Sequence, residues 1–160
     1  MGLVSDTHVP SEAATLPQMV LEIFNEASLI IHAGDLVDLD VVKGLEEIAP
    51  VLAVHGNADP EGVRGLFPEL NSTRIFNWKI GVVHDVGIFW GKAKMRRIAR
   101  ENRFDVLVFG HRHRAFLEAG PIIFINPGSP TIPLPPYFVK PSVGVLEVAR
   151  NRIESSIVEL

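Results

Sequence analysis

The sequence predicts an α/β fold built as a two-sheet sandwich flanked by helices. Its first half alternates short β-branched apolar runs with segments of helical spacing, which marks βαβ units and parallel strands. Beyond residue 70 the texture becomes strand-rich, with turn residues between short apolar segments, so a second sheet is expected there. The 160 residues, 47% hydrophobic and 21% charged, suffice for one packed core and not for two comfortable ones. Residues 1–160 are therefore expected to form a single domain.

Taken in order, "MGLVS" (1–5) is a short buried strand, and residues 16–27 repeat apolar side chains at helical spacing, with Pro17 tolerable in a first turn. "LIIHA" (29–33) is the second strand, "DVVKGLEEI" (40–48) the second helix and "VLAVH" (51–55) the third strand. "STRIFNWKIGVVHD" (72–85) holds two strands, "KAKMRRIARENR" (92–103) a helix, and "DVLVFGH" (105–111) another buried strand. "AFLEA", "IIFIN", "SVGVLEV" and "RIESSIVEL" complete the chain as strand-like segments. "PGSPTIPLPPYFVKP" (127–141) cannot be a central strand, because proline has no N–H for the ladder. It is a rigid surface loop, one that borders the active site, or a partner-binding patch exposing Ile132, Leu134, Tyr137 and Phe138.

Composition excludes several functions. A net charge of -4 with pI near 5.8 argues against a nucleic-acid surface, which needs a basic stripe. The basic run at 92–103 fits the solvated face of an amphipathic helix. Without cysteine there are no disulfides and no thiolate metal sites. No apolar run reaches the ~18 residues that span a bilayer, and the N-terminus has no export pattern, so no membrane association and a cytoplasmic location are expected.

All six histidines sit at or just after the end of an apolar strand. In open α/β sheets that is where ligands bind. Asp6 precedes His8 by two, as His111 precedes His113; in an extended segment such pairs point the same way and can present two ligands to one site. Asp35 follows Gly34 after strand two, Asn57 follows Gly56 after strand three, and Gly110 precedes His111. Glycine lets the backbone turn sharply there and approach a bound group. Asp, His and Asn without sulfur suit borderline-to-hard divalent metals. Asp6, His8, Asp35, Asn57, His84, His111 and His113 are too many for one tetrahedral ion and fit two ions sharing a carboxylate. Asp35 is the natural bridge, since a carboxylate has two oxygens and Asn57 offers one neutral carbonyl.

The ordered blocks Asp6-Thr7-His8, Gly34-Asp35, Gly56-Asn57-Ala58-Asp59, His84 and Gly110-His111-Arg112-His113 resemble those of the calcineurin-like metallophosphoesterases. The chain is most similar to their small single-domain phosphodiesterase branch, as is "INPGS" (125–129). The resemblance implies a four-layer α/β/β/α sandwich of two mixed sheets. It implies one metal on Asp6, His8, Asp35 and His113, and another on Asp35, Asn57, His84 and His111. Manganese leads the expected cations, with iron, nickel and zinc as alternatives.

Two positions depart from the family pattern. Ala58 stands where larger members carry a histidine that acts as general acid or binds phosphate, and Asp85 stands where glycine is usual. His32 and His55 match no ligand position; His32 is expected to support or pack behind the ligands, as is His55 unless it touches phosphate. Asp59 either orients a ligand or forms a turn with Pro60, and Arg112 serves a salt bridge or the substrate. Asp38-Leu39-Asp40-Val41-Val42 has the look of a haloacid-dehalogenase nucleophile, but residues 34–37 separate it from the strand. Asp38 is better placed to cap helix two, with Asp40 a first-turn acid.

The expected activity is hydrolysis of a small phosphorylated substrate, a phosphodiester before a monoester. A hydroxide bridging two cations would attack phosphorus in line, with Asp35 and Asn57 closest to the chemistry. The rival is a catalytically weak protein-binding scaffold of the same fold, as in the retromer scaffold subunit that resembles this branch. The sequence leaves a homo-oligomer open.

Overall fold

A computed structural model describes residues 1–87, 91–135 and 138–160. In chain order its elements are β1 (Gly2–Val4), α1 (Gln18–Phe24), β2 (Ile30–His32), α2 (Leu39–Glu46), β3 (Val51–Ala53), α3 (Glu61–Arg64) and β4 (Leu70–Ile75). Then follow β5 (Trp78–Val83), α4 (Gly91–Asn102), β6 (Val106–Phe109), β7 (Phe116–Glu118), β8 (Ile123–Asn126), β9 (Ser142–Val148) and β10 (Ile153–Glu159). They form two mixed five-stranded sheets, ordered β10-β9-β1-β2-β3 and β4-β5-β6-β8-β7. In the first, β1, β2 and β3 run parallel, as the alternating pattern predicts, and β9 and β10 return from the C-terminal part antiparallel. In the second, β5, β6 and β8 are parallel, with β4 and β7 antiparallel at the edges.

The α/β/β/α layering follows from strand alternation. Leu3, Ile31, Ile80, Val82, Val106, Val108, Ile123 and Ile125 pack into one cluster between the sheets. Their neighbours along the strands point outward: Val4 and Ile30 join Val20, Phe24, Val41 and Leu45 under α1 and α2. Val83, Leu107, Phe109 and Phe124 join Met95 and Ala99 under α4. Both faces of each central strand are thus buried, which is why these strands read as continuous apolar runs.

Asp38 caps α2, accepting the Asp40 N–H at 2.9 Å, and Asp40 pairs with Lys43, so neither belongs to a phosphoryl-accepting motif. α3, a single turn entered through Pro60, escapes the sequence pattern because four residues are too few to show a period. The basic face of α4 is partly neutralised: Lys92 and Arg96 reach Glu118, and Lys94 reaches Asp85. The described residues of the proline-rich segment form no strand; Leu134 and Phe138 are exposed, while Tyr137 lies outside the described residues. Among the described residues, no helix is long and apolar enough to cross a membrane.

Candidate metal centre

The loops following β1, β2, β3, β5 and β6 converge at one rim of the two sheets, and all seven proposed ligands lie on them. They meet as two adjoining groups. His113 Nε2 lies 3.4 Å from Asp6 Oδ1 and 3.2 Å from His8 Nε2, and His8 Nε2 lies 3.4 Å from Asp35 Oδ2. On the other side, His84 Nε2 lies 3.3 Å from Asp35 Oδ2 and 3.0 Å from Asn57 Oδ1, which His111 Nδ1 approaches to 2.7 Å. Asp35 therefore touches both groups. Asp6, Asp35 and His84 are buried, whereas Asn57 is exposed.

The i, i+2 pairs do not converge by the extended geometry expected from the sequence. Asp6 and His8 adopt φ of 52° and 46°, Asp35 57°, and His111 and His113 74° and 50°. Non-glycine residues rarely occupy this left-handed region, which costs about 1–3 kcal/mol where it is strained. The turns send His113 toward Asp6 and His8 but His111 toward Asn57, so that pair divides between the two groups instead of sharing one. Gly34, with φ of +89°, makes the same kind of turn at no steric cost, and a Cβ on Gly56 would collide with the Asp35 carboxylate.

The left-handed turns are held by hydrogen bonds between loops. Asp6 N–H donates to Gly34 O at 3.0 Å and His8 N–H to Asp35 O at 3.1 Å. His111 N–H donates to the Asp6 carboxylate, and Asn126 Nδ2 donates to Gly110 O. Asp59 lies at the junction of two of these loops. Its buried carboxylate accepts the N–H groups of Val37 (2.6 Å), Gly56 (2.6 Å) and Asp35 (3.1 Å), joining the loops that carry Asp35 and Asn57. Arg64 ties the same loop from α3, donating through Nε to Asp59 O at 2.8 Å and through Nη2 to Asn57 O.

The donor set fits cations. His84 Nδ1–H donates to Ala33 O at 2.8 Å and His113 Nδ1–H to Ile132 O at 3.0 Å. That leaves Nε2 of each ring facing further polar atoms, Asp35 and Asn57 in one case, Asp6 and His8 in the other. Acceptors crowded together repel unless a proton or metal ion sits among them. Asp6, His8, Asp35 and His113 offer donor atoms all within 4.8 Å of one another, a group that could hold a metal ion.

The electrostatics agree. Burial pushes the Asp35 carboxyl up, but the His84 hydrogen bond and charge, the Ala58 N–H and His8 outweigh it, leaving the group below the usual carboxylate range. Burial also depresses His84, yet its hydrogen bond to Asp35 and the nearby Asp6 charge win and raise it, so that a proton tends to occupy the place between them in the metal-free protein. Burial holds Asp6 above the ordinary value, against the pull of His84, His113 and the Ser5 hydroxyl. His8 is lowered chiefly by burial, so its approach to Asp35 is not an ion pair.

His32 has the supporting role expected of it. Wholly buried, with its pKa lowered to about 3 by burial and by the His84 charge, it is a neutral ring. Its Nδ1 accepts the Gly34 N–H, so Nε2–H donates to Thr7 Oγ1, which in turn donates to Asp35 O. His55 is half-buried beside Asn57 and His111 in the adjoining cleft. Asp85 accepts the Gly87 N–H and pairs with Lys94. Arg112 is exposed.

Sequence reasoning missed the hydroxyls behind the first group. Ser5 Oγ–H donates to Asp6 Oδ2 at 2.7 Å, Ser129 Oγ–H to Asp6 O at 2.8 Å and Thr131 Oγ1–H to Thr7 O at 2.8 Å. The resemblance at "INPGS" is the one signal that pointed to this loop, which does border the site. The carbonyls of Ala33 and Ile132 have no side-chain signature at all.

Comparison with known proteins agrees with this geometry. The family model described as the calcineurin-like phosphoesterase superfamily domain matches residues 1–151. A protein of Methanothermobacter thermautotrophicus named as a probable metallophosphoesterase is 35% identical, the match covering 99% of this chain and 91% of that protein. A Methanocaldococcus jannaschii protein named as a phosphodiesterase is 28% identical over 99% of both. Among solved structures, Entamoeba histolytica Vps29 complexed with zinc superposes with a TM-score of 0.78 at 25% identity, covering 99% of this chain and 97% of that one.

Proposed function

This chain belongs to the calcineurin-like phosphoesterase superfamily, and from that membership we propose that it is a metal-dependent phosphodiesterase acting on a small phosphorylated substrate. Asp6, His8, Asp35 and His113 would hold one cation and Asp35, Asn57, His84 and His111 a second. The observation that carries the reading is the convergence of His84 Nε2 and His113 Nε2 on carboxylate and amide oxygens in the two adjoining groups. Nitrogen and oxygen donors without sulfur suit a borderline-to-hard divalent cation; manganese is the first proposed, with iron, nickel or zinc as alternatives.

Bound divalent cations there would supply positive charge to the phosphoryl oxygens and acidify a water for in-line attack on phosphorus. The chain's own groups fix the donors. Asp35 offers Oδ2 to both groups while Ala58 N–H, at 2.7 Å, holds Oδ1. Ala33 O and Ile132 O set the tautomers of His84 and His113, the second layer of support that metal sites need. Ala58 brings only a methyl group where larger relatives of the family have an acid, so the leaving group departs without help from that position. Activated aryl diesters should therefore turn over faster than alkyl ones, and a flat dependence on leaving-group pKa would count against this step.

Bis(p-nitrophenyl) phosphate assayed with each metal in turn tests the proposal. Turnover that needs metal and falls about a hundredfold or more in Asp35→Asn or His84→Ala supports it. A metal-loaded but inert protein supports instead a binding scaffold, the second reading, which the likeness to Vps29 and the exposed Leu134 and Phe138 favour.

A further inference from the structure

We propose that the cleft beside Asn57, His84 and His111 is a subsite for one planar, uncharged aromatic group of the substrate, resting against the Arg64 guanidinium. The inference rests on the phosphodiesterase reading and deepens it by naming the kind of ester group accepted. The cleft encloses about 540 Å³, and Asn57, His84 and His111 form part of its wall. A group bonded to a phosphorus held at the metal centre has this space next to it. Ligand pockets commonly span about 300–1,000 Å³ and are apolar with a few polar groups, so the volume suits a ring system far better than a methyl or ethyl ester.

The lining says what kind of group. Leu70 from β4, Val83 from β5 and Ile98 from α4 contribute apolar surface from three elements. Arg64 adds a flat wall. Its hydrogen bonds to Asp59 O and Asn57 O hold the guanidinium at two points, so it gives up little freedom on contact with a ring. A fixed guanidinium plane is a good stacking partner for an aromatic face. Formal charges on the lining cancel: Lys94 is paired with Asp85 at 3.2 Å, and Arg64 is matched by Glu69. The pairing leaves no free charge on the wall away from the metal centre, and an uncharged ring buries apolar area there. Asp85, the departure from the family's glycine, thus has work outside the metal centre: it neutralises Lys94 at the cleft wall.

Calorimetric titration of the manganese-loaded protein with phenylphosphonate and with methylphosphonate isolates the ring, because the two probes share one anionic head. Phenylphosphonate should bind about tenfold tighter or more. The ratio should shrink to about threefold or less in Leu70→Asn, at an exposed position, and in Arg64→Lys, which keeps the charge and loses the plane. Equal affinities in the native protein, no binding of either probe, or an unchanged ratio in either variant overturns the subsite. Bis(p-nitrophenyl) phosphate turnover measured in parallel separates the two readings. Ring preference without turnover upholds the subsite and removes the phosphodiesterase; turnover without ring preference does the reverse.

Discussion

At the scale of single residues, the centre depends on groups that would touch neither metal nor substrate. Asp59 is 2% exposed and takes three backbone N–H groups on one carboxylate. In Asp59→Ala those donors face a void from which water is largely excluded, and each buried orphan costs about 1–3 kcal/mol. With some relaxation of the loops, the variant should lose about 3 kcal/mol or more, read from urea unfolding of the metal-free protein. A loss under about 1 kcal/mol would mean that the three donors find other partners. The convergence of the seven candidate residues on one rim was legible in the sequence because each follows an apolar strand. What the sequence could not convey is how they converge. Left-handed φ at Asp6, His8, Asp35, His111 and His113 depends on hydrogen bonds from loops up to 105 residues away, which no local pattern encodes. Ser129 and Thr131 went unassigned for the same reason: a loop hydroxyl has no periodicity, and its partner lies on the far side of the chain.

At the scale of elements, each central strand packs two cores at once. Leu107, fully buried on β6, faces α4, while its neighbours Val106 and Val108 face the other sheet. Leu107→Ala should cost about 3 kcal/mol, within the range for buried leucine, seen as a lower denaturation midpoint. The ligand-bearing loop after β6 would keep its geometry, so metal stoichiometry should stay that of the native protein; loss of metal along with stability would show that the helix layer and the site are coupled. Strands of this kind were legible as apolar runs, and α1, α2 and α4 by their spacing. Sheet order was not. That β9 and β10 come back to lie beside β1 is decided by long-range pairing of Gly2 with Val145 and Leu3 with Gly144, where Gly144 lets Leu3 sit close against the strand.

At the scale of the molecule, the centre is a seam. Asp6, His8, Asp35 and Asn57 come from loops after strands of the first sheet, and His84, His111 and His113 from loops after strands of the second. A cation bound between Asp6, His8, Asp35 and His113 therefore ties the two sheets together at their rim. Without it, the same residues crowd acceptor atoms together, a local cost that a bound cation would relieve. Only the folded chain assembles this set, so binding adds stability by mass action, about 4 kcal/mol at a thousandfold excess over Kd. For a chain of this size that corresponds to a rise in Tm of about 10 °C. Manganese should produce that rise in native protein, and a chelator should reverse it. Asp35→Asn keeps the shape of the side chain but removes the shared carboxylate, so its metal-free Tm should fall somewhat with loss of the His84 contact while the metal-dependent rise largely disappears. Differential scanning calorimetry on both proteins, with and without metal, decides the matter. An equal rise in both would place the stabilising ion elsewhere on the molecule, and no rise in either would mean that these loops hold their strained turns without a cation.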